Sequence, residues 1–387
     1  MTAVNEPVLG IDLGTTFSTA ALVVNGKFHY ATDERGEACI PSVVHFPRNG
    51  PPLVGAEADK LRASDPENTV WAIKRVIARP LDSPQARRLQ AGAVFKLVGT
   101  GAEEVKVRTR TGDYGASEVA SLIMRNLKDR AQQRFGRALT KAVVTVPVPA
   151  PPNVREAMVR IGRMAGLEVV RVISEPVAGA LARGIAGAQD SGAPRLIFDF
   201  GGGTLDVTAV QHAGDQVKVL GAGGDDSLGG DDFDTAFARS VASHVWGSFQ
   251  FDVTRDVILA DAIQRTCERV KRALSAAPSA RYFIPEALGV RGRRWNIEMT
   301  VSRTAMSAVW AELISRAVEV TRQTLEATGV TPAQLSMVSL IGGTTFIPQV
   351  REAVAAHFQR PLDLEADPQT AVARGAAFLG AMPSLIR

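Results

Sequence analysis

Residues 9–23 (LGIDLGTTFSTAALV) and 196–210 (LIFDFGGGTLDVTAV) carry one short design twice. In each, β-prone residues lead to an Asp, a glycine-bearing turn follows, and an apolar strand returns, which is the pattern of a β-hairpin. A hairpin repeated in this way predicts a chain assembled from two like units. The length agrees, since 387 residues exceed what one hydrophobic core usually serves. The expected division is a first lobe at 1–190 with an inserted subdomain at about 41–116, and a second lobe at 191–387 with an insertion at about 232–310 and a final helix at 370–382.

The remaining local signals alternate between strand and helix, so the class is α/β. A strand is expected at 43–46, and the run 71–77 (WAIKRVI) reads as helical. A helix follows at 117–135 with Ser117 as its candidate N-cap, then a short buried strand at 142–147. In the second half, residues 221–230 read as a glycine-rich loop, 256–275 as a long helix stopped before Pro278, 309–328 as another helix, and 338–343 as a strand entering a glycine turn.

Composition narrows the functional classes. With 45% hydrophobic and 22% charged residues and no biased segment, the chain reads as an ordinary folded one. Basic and acidic residues nearly balance, 44 against 40, and no basic run points to nucleic acid or to a polybasic membrane contact. Cys39 and Cys267 are too few for a disulfide framework, which fits a reducing compartment, and no apolar run approaches membrane-spanning length. Residues 1–7 lack the basic start of a secretory signal, so the expected location is the cytoplasm.

A nucleoside triphosphate and its metal need close backbone N–H donors, which favour glycine turns, with carboxylates beside the phosphate cradle. Both hairpins offer this set. Asp12 and Asp199 end the leading strands, while Gly14, Thr15 and Thr16 in one turn and Gly201, Gly202, Gly203 and Thr204 in the other could hold phosphates from opposite sides. Taken singly, each is also an ordinary hairpin turn; the matched pair is what points to a nucleotide. The P-loop pattern Gly-x-x-x-x-Gly-Lys-Ser/Thr is absent, residues 221–230 miss the dinucleotide pattern, and five scattered histidines support no zinc site. On the helix at 256–275, Glu268, Lys271, Arg272 and Ser275 share one face at three- and four-residue intervals, which by periodicity alone is a solvated charged face.

Six segments in order resemble the nucleotide-domain motifs of the DnaK-type heat-shock chaperones: residues 10–18 (GIDLGTTFS), 72–75 (AIKR), 174–176 (SEP), 198–206 (FDFGGGTLD), 228–234 (LGGDDFD) and 341–348 (IGGTTFIP). The resemblance runs from about residue 8 to 382. The hairpins alone would equally suit actin, sugar kinases or bacterial actin-like filament proteins. The resemblance implies an actin-like ATPase (ribonuclease H-like) fold and slow hydrolysis of ATP to ADP and phosphate, with Mg2+ and K+ in the cleft. It further implies that Lys74 contacts the γ-phosphate and orients the attacking water, and that Glu175 helps hold hydrated magnesium. Asp12 and Asp199 would bind magnesium through water, and Thr204 and Asp206 would complete the hydrolytic site. Without the family, Lys74 reads as a solvated helix lysine and Glu175 as a pre-proline carboxylate. The further nucleotide contacts implied are Phe17, Gly229, Gly230, Gly342, Gly343 and Thr344, with Glu268 and Lys271 at the ribose and Arg272, Ser275 and Phe346 toward the base.

The chain departs from that family at Phe346, where an Arg is common, and at Gln369, where an acid follows the Asp-Pro pair. Adenine is therefore expected between the Arg272 guanidinium and the Phe346 ring. Pro149, Ala150 and Val159 alter the face where the family docks its interdomain linker, while Arg155 and Arg171 remain. Around 210–220 a single acid, Asp215, is offset by Lys218 where the family presents an acidic strip, so stimulation by a J-domain partner is expected to be poor. A nucleotide-exchange factor or other cochaperone, and a monomeric state, complete the partner expectations. The sequence ends at Arg387 without the linker and β-sandwich of a complete chaperone, so this chain alone is not expected to grip peptides. The rival expectations are a non-chaperone actin-like filament or scaffold protein and, more distantly, a kinase.

Overall fold

The computed structural model describes residues 7–148, 150–182, 192–213, 216–290, 292–363 and 367–382. The first repeated segment forms the hairpin Val8–Asp12 and Phe17–Val24, with Asp12 opposite Thr19. The second forms Arg195–Phe200 and Leu205–Ala213, with Asp199 opposite Asp206. Each hairpin sits in the middle of a sheet of the same plan. In the first sheet the order is Lys27–Tyr30, Phe17–Val24, Val8–Asp12, Lys141–Val146, Glu168–Ser174. In the second it is Gln216–Asp225, Leu205–Ala213, Arg195–Phe200, Met337–Ile341, Leu362–Asp363. Both keep antiparallel pairing on one side of the Asp-bearing strand and parallel pairing on the other.

The helices repeat as well. Ala116–Phe135 and Arg303–Thr328 lead into the parallel halves, Pro152–Met164 and Pro348–Phe358 link the last two strands of each sheet, and Glu175–Leu181 and Ala371–Gly380 follow them. Parallel neighbours require such crossovers, because a short turn can join only antiparallel strands. Duplication read from fifteen-residue hairpins thus extends to the full β-β-β-α-β-α-β-α order.

Each sheet has its own apolar core, one including Leu9, Ile11, Leu22, Ile123 and Leu127, the other Phe198, Phe200, Phe233 and Trp310. A third cluster joins them: Val143 and Ile173 from the first sheet, Ile197 and Ile341 from the second, and Ala178, Val372 and Ala376 from the two final helices. These helices cross so closely that a Cβ on Gly375 would stand 1.7 Å from the Ala178 carbonyl oxygen, and one on Gly10 would stand 2.1 Å from the Ala377 nitrogen. The small-residue composition of 371–380 is what brings the two sheets together at the base of the cleft between their hairpin turns.

Three local expectations are corrected. Residues 71–77 are not one helix: the strand Thr69–Trp71 is followed by Ala72 at φ +52° and a short 3-10 turn, Ile73–Val76. The helix expected from Ser117 is capped at Gly115, whose N–H donates to the Glu118 carboxylate at 2.6 Å, while the Ser117 hydroxyl is committed to Glu104 at 2.7 Å. Of the loop expected at 221–230, Gly221–Gly224 belongs to the strand Gln216–Asp225; a Cβ on Gly223 would meet Thr324 Oγ1 at 2.4 Å, so glycine there admits the long helix against the sheet. By contrast, the helix expected at 256–275 is observed at Val257–Ala276, with the Asp256 carboxylate accepting from the Ile258 and Leu259 N–H groups. Both cysteines are free thiols. Pro149 and Asp215, named above for partner docking, lie outside the described residues. No helix among the described residues is long and apolar enough to cross a membrane.

Candidate functional site

The two hairpin turns face each other across a cavity of about 420 Å³. Gly14, Thr15, Thr16 and Phe17 line one side; Gly201, Gly202, Gly203, Thr204 and Asp206 line the other. The second turn is braced from behind. Thr344 Oγ1 donates to the Gly201 carbonyl at 2.8 Å, and the first N–H groups of the helix Gly230–Phe249 reach the same turn, Gly230 to the Gly201 oxygen at 3.0 Å and Asp231 to the Gly202 oxygen at 2.8 Å. With its carbonyls held in this way, the turn leaves the N–H groups of Gly202 and Gly203 without a protein partner among the described residues, and the same is true of Thr15 and Thr16 opposite. Backbone N–H donors are ordinarily paired, so facing turns that leave four of them unpartnered beside an open space are suited to an anion.

Below the turns the floor is acidic. Asp12 and Asp199 come from the paired strands, Asp206 from the returning strand and Glu175 from the start of the helix Glu175–Leu181. Among the described residues the single cation at this floor is Lys74, placed by the 3-10 turn at 73–76, whose Nζ lies 2.7 Å from Glu175 Oε1. Burial raises Asp12 to about 7, against the pull of Lys74 and with a further push from Glu175. Asp206 is likewise raised to about 7, by burial and then Glu175, although the Thr204 hydroxyl donates to it at 2.9 Å. Asp199 is driven well above the usual carboxylate range by burial and by Glu175, Asp206 and Asp12. For Lys74, burial opposes the charge, but Glu175 and Asp12 outweigh it and hold the ammonium protonated. Four desolvated carboxylates and one lysine leave the floor short of positive charge, which a hydrated divalent cation would supply. Among the described residues no three His, Cys, Asp or Glu side chains close on one point as direct ligands of a bare ion.

The far end of the cavity is built by the helix Val257–Ala276, which turns Glu268, Lys271, Arg272 and Ser275 inward, and by the segment after Met337–Ile341, which brings Gly342, Gly343, Thr344 and Phe346. Arg272 is exposed at the rim, yet its guanidinium lies over the Phe17 ring at 5.1 Å. The Phe346 ring is covered in turn by Arg351 at 5.2 Å. Lys271 bonds Asp234 Oδ2 at 2.6 Å and the Gly230 carbonyl at 2.8 Å, anchoring this helix to the one that braces the turn at 201–204. Across the opening, Arg75 reaches from the first half to Asp231 in the second at 2.8 Å.

Of the residues singled out from sequence, Gly229 alone does not line the cavity. It caps the helix Gly230–Phe249 and packs behind the turn, where a Cβ would stand 2.6 Å from the Gly202 carbonyl carbon and oxygen. The cavity also takes in Asp231, Asp234, Ile347, Pro368 and Val372, none of which was singled out. The acids lie in the segment 228–234 and Ile347 in 341–348, both already quoted as motifs, and Pro368 belongs to the Asp-Pro pair before Gln369; Val372 gives no local signal. A family model described as Hsp70 protein matches residues 8–384 of this chain.

Proposed function

Because the chain belongs to the Hsp70 protein family and is therefore an ATPase of the actin-like fold, we propose that it is a slow, DnaK-type ATP hydrolase whose two halves, 1–190 and 191–387, close on the nucleotide and relay its state to a partner. The observation that carries this reading is the pair of facing turns with unpartnered N–H groups above a cation-poor carboxylate floor.

In this reading the triphosphate lies between the turns, held by the N–H groups of Thr15, Thr16, Gly202 and Gly203. Phosphoryl transfer asks the protein for position and charge rather than covalent chemistry. Lys74 supplies a fixed positive charge at the γ-phosphate and orients the attacking water, with Glu175 holding its ammonium in place. Thr204 and Asp206, already hydrogen-bonded to each other, complete the water-binding side. Asp12, Asp199 and Glu175 are suited to hold hydrated Mg2+ through water, with K+ beside the phosphates; the metal, when bound, neutralises phosphate charge. Glu268 and Lys271 face the ribose, and Arg272, Ser275 and Phe346 the adenine.

We place the chain in the cytoplasm as a monomer that meets an exchange factor or other cochaperone. Val159 is exposed on the side where linker docking is expected, which supports weak J-domain stimulation as the expected behaviour, while the retained Arg155, bonded to the Val172 carbonyl, leaves some docking in place. The test is single-turnover hydrolysis with and without Mg2+: Lys74→Ala should bind ATP yet hydrolyse it at least a hundredfold more slowly. Undiminished turnover in that variant would remove Lys74 from the site.

A further inference from the structure

The small sheet formed by Lys96–Val98, Lys106–Thr109 and Gly112–Gly115 buries Leu97 and Val107 on one face. Its other face places like charges where strand pairing normally avoids them: Lys96 stands directly opposite Arg108, and Arg110 lies two residues further along on the same side. Like charges directly opposite destabilise a strand pair. Together with Arg48 they line an open cleft of about 630 Å³, which also holds the Thr109 and Thr111 side chains and one carboxylate, Glu67. This cleft shares no lining residue with the nucleotide cavity.

Partners of these cations are unevenly distributed. Arg108 is met by Asp113 at 3.0 Å and Arg110 by Asp65 at 2.5 Å. The Asp65 and Asn68 side chains are consumed in fixing the loop: Asn68 Nδ2 donates to Asp65 Oδ1 at 2.8 Å, and the Arg110 N–H donates to Asn68 Oδ1 at 2.7 Å. Arg48 and Lys96 have no ion-pair or hydrogen-bond partner among the described residues, and both are exposed at the cleft. Four cations against one lining carboxylate, two of the cations unpaired, leave a concentrated positive field over a cleft whose volume falls within the range of small-molecule sites.

We propose that this cleft binds a free anion bearing two or more linked phosphates, gripped by Arg48 and Lys96 with Arg108 and Arg110 at its base. A single phosphate would engage only part of the cleft, whereas linked phosphates can span cations contributed by the loop after Val43–His45 and by two adjacent strands.

The experiment uses the full chain loaded with one equivalent each of ADP and Mg2+, so that the nucleotide cavity is filled with little free diphosphate or metal left over, and titrates inorganic triphosphate by calorimetry at low and moderate salt. Binding is expected at one site, weakening at least fivefold as salt rises, and lost at least tenfold in the double variant Arg48→Glu/Lys96→Glu. Since both side chains are exposed and unpaired, that variant should keep wild-type melting, ADP affinity and basal hydrolysis, all measured alongside. Absence of triphosphate binding, or binding untouched by the charge reversal, would overturn the proposal. Tenfold tighter binding of a doubly phosphorylated peptide would overturn its assignment to a free anion.

Discussion

The Lys74–Glu175 pair offers the sharpest test of the cleft, because it can be read without nucleotide. The two side chains are largely buried, 17% and 9% exposed, and meet at 2.7 Å. At an effective interior dielectric of about 20, charges this close attract by roughly 6 kcal/mol before desolvation is set against it. Removing one partner of such a pair typically costs about 3–5 kcal/mol, because the other charge stays buried and unpaired. Here the penalty belongs at the middle of that range: the orphaned Glu175 would face Asp12, Asp199 and Asp206, but these raised carboxyls can take up a proton and relieve part of the repulsion. Lys74→Met keeps the side-chain volume and removes only the charge, so urea denaturation of the nucleotide-free, metal-free chain should show a loss of about 4 kcal/mol. Adding Glu175→Gln removes the stranded charge and should restore roughly half of that loss, while hydrolysis stays abolished in both variants. Strictly additive destabilisation by the two changes, or a loss below about 1 kcal/mol for Lys74→Met, would refute an energetically coupled pair at the floor.

Three further outcomes follow from particular contacts. Phe346→Ala should weaken nucleotide binding several-fold in calorimetry, aromatic stacking and cation–π contacts each contributing on the order of 1 kcal/mol; unchanged affinity would remove Phe346 from the base site. Gly375→Ala forces a Cβ to within 1.7 Å of the Ala178 carbonyl, so denaturation should show a loss of about 3 kcal/mol or more, and hydrolysis should fall with it because Ala178 and Glu175 share one helix; near-wild-type stability would contradict the close crossing. Asp33 accepts from the Glu37 and Arg35 N–H groups and from the Arg35 guanidinium; burial pushes its carboxyl up, but these bonds outweigh it and hold it below the usual range. Its contribution is therefore present above the unfolded-state value near 4 and fades as pH falls below it, so Asp33→Ala should destabilise by about 2 kcal/mol at pH 7 and by progressively less as pH falls below 4. A pH-independent difference would show that the carboxylate charge is not what orders the 33–37 turn.

The parts of this molecule legible in the sequence are those whose cause is local. Each hairpin is specified by a strand, a glycine turn and a strand within fifteen residues, and the repeat of that signal is enough to imply two like sheets. The Asp256 cap and its helix are equally local. Lys74 is the opposite case: by periodicity it is a helix lysine, but Ala72 in the left-handed region breaks the helix, and the ammonium is buried by Glu175, a residue 101 positions away. Strand glycines 221 and 223 read as loop because their reason lies in Thr328 and Thr324 on a helix a hundred residues later. Asp234 stayed unremarked because an acidic residue on a helix is ordinarily solvated; only packing of Gly230–Phe249 against Val257–Ala276 buries it beside Lys271. This last pair explains how the site is coordinated. In the proposed arrangement Lys271 lies on the helix at the nucleoside end, and through Asp234 and the Gly230 carbonyl it grips the helix whose first N–H groups hold the turn at 201–204, proposed to face the phosphates. Displacement at the nucleoside end therefore pulls on the turn at the phosphate end through two hydrogen bonds and one helix. Lys271→Met should accordingly slow hydrolysis beyond its effect on nucleotide affinity, a split that saturating single-turnover kinetics would reveal. If the rate at saturation is unchanged, Lys271 serves the ribose alone and the two ends of the cavity act independently.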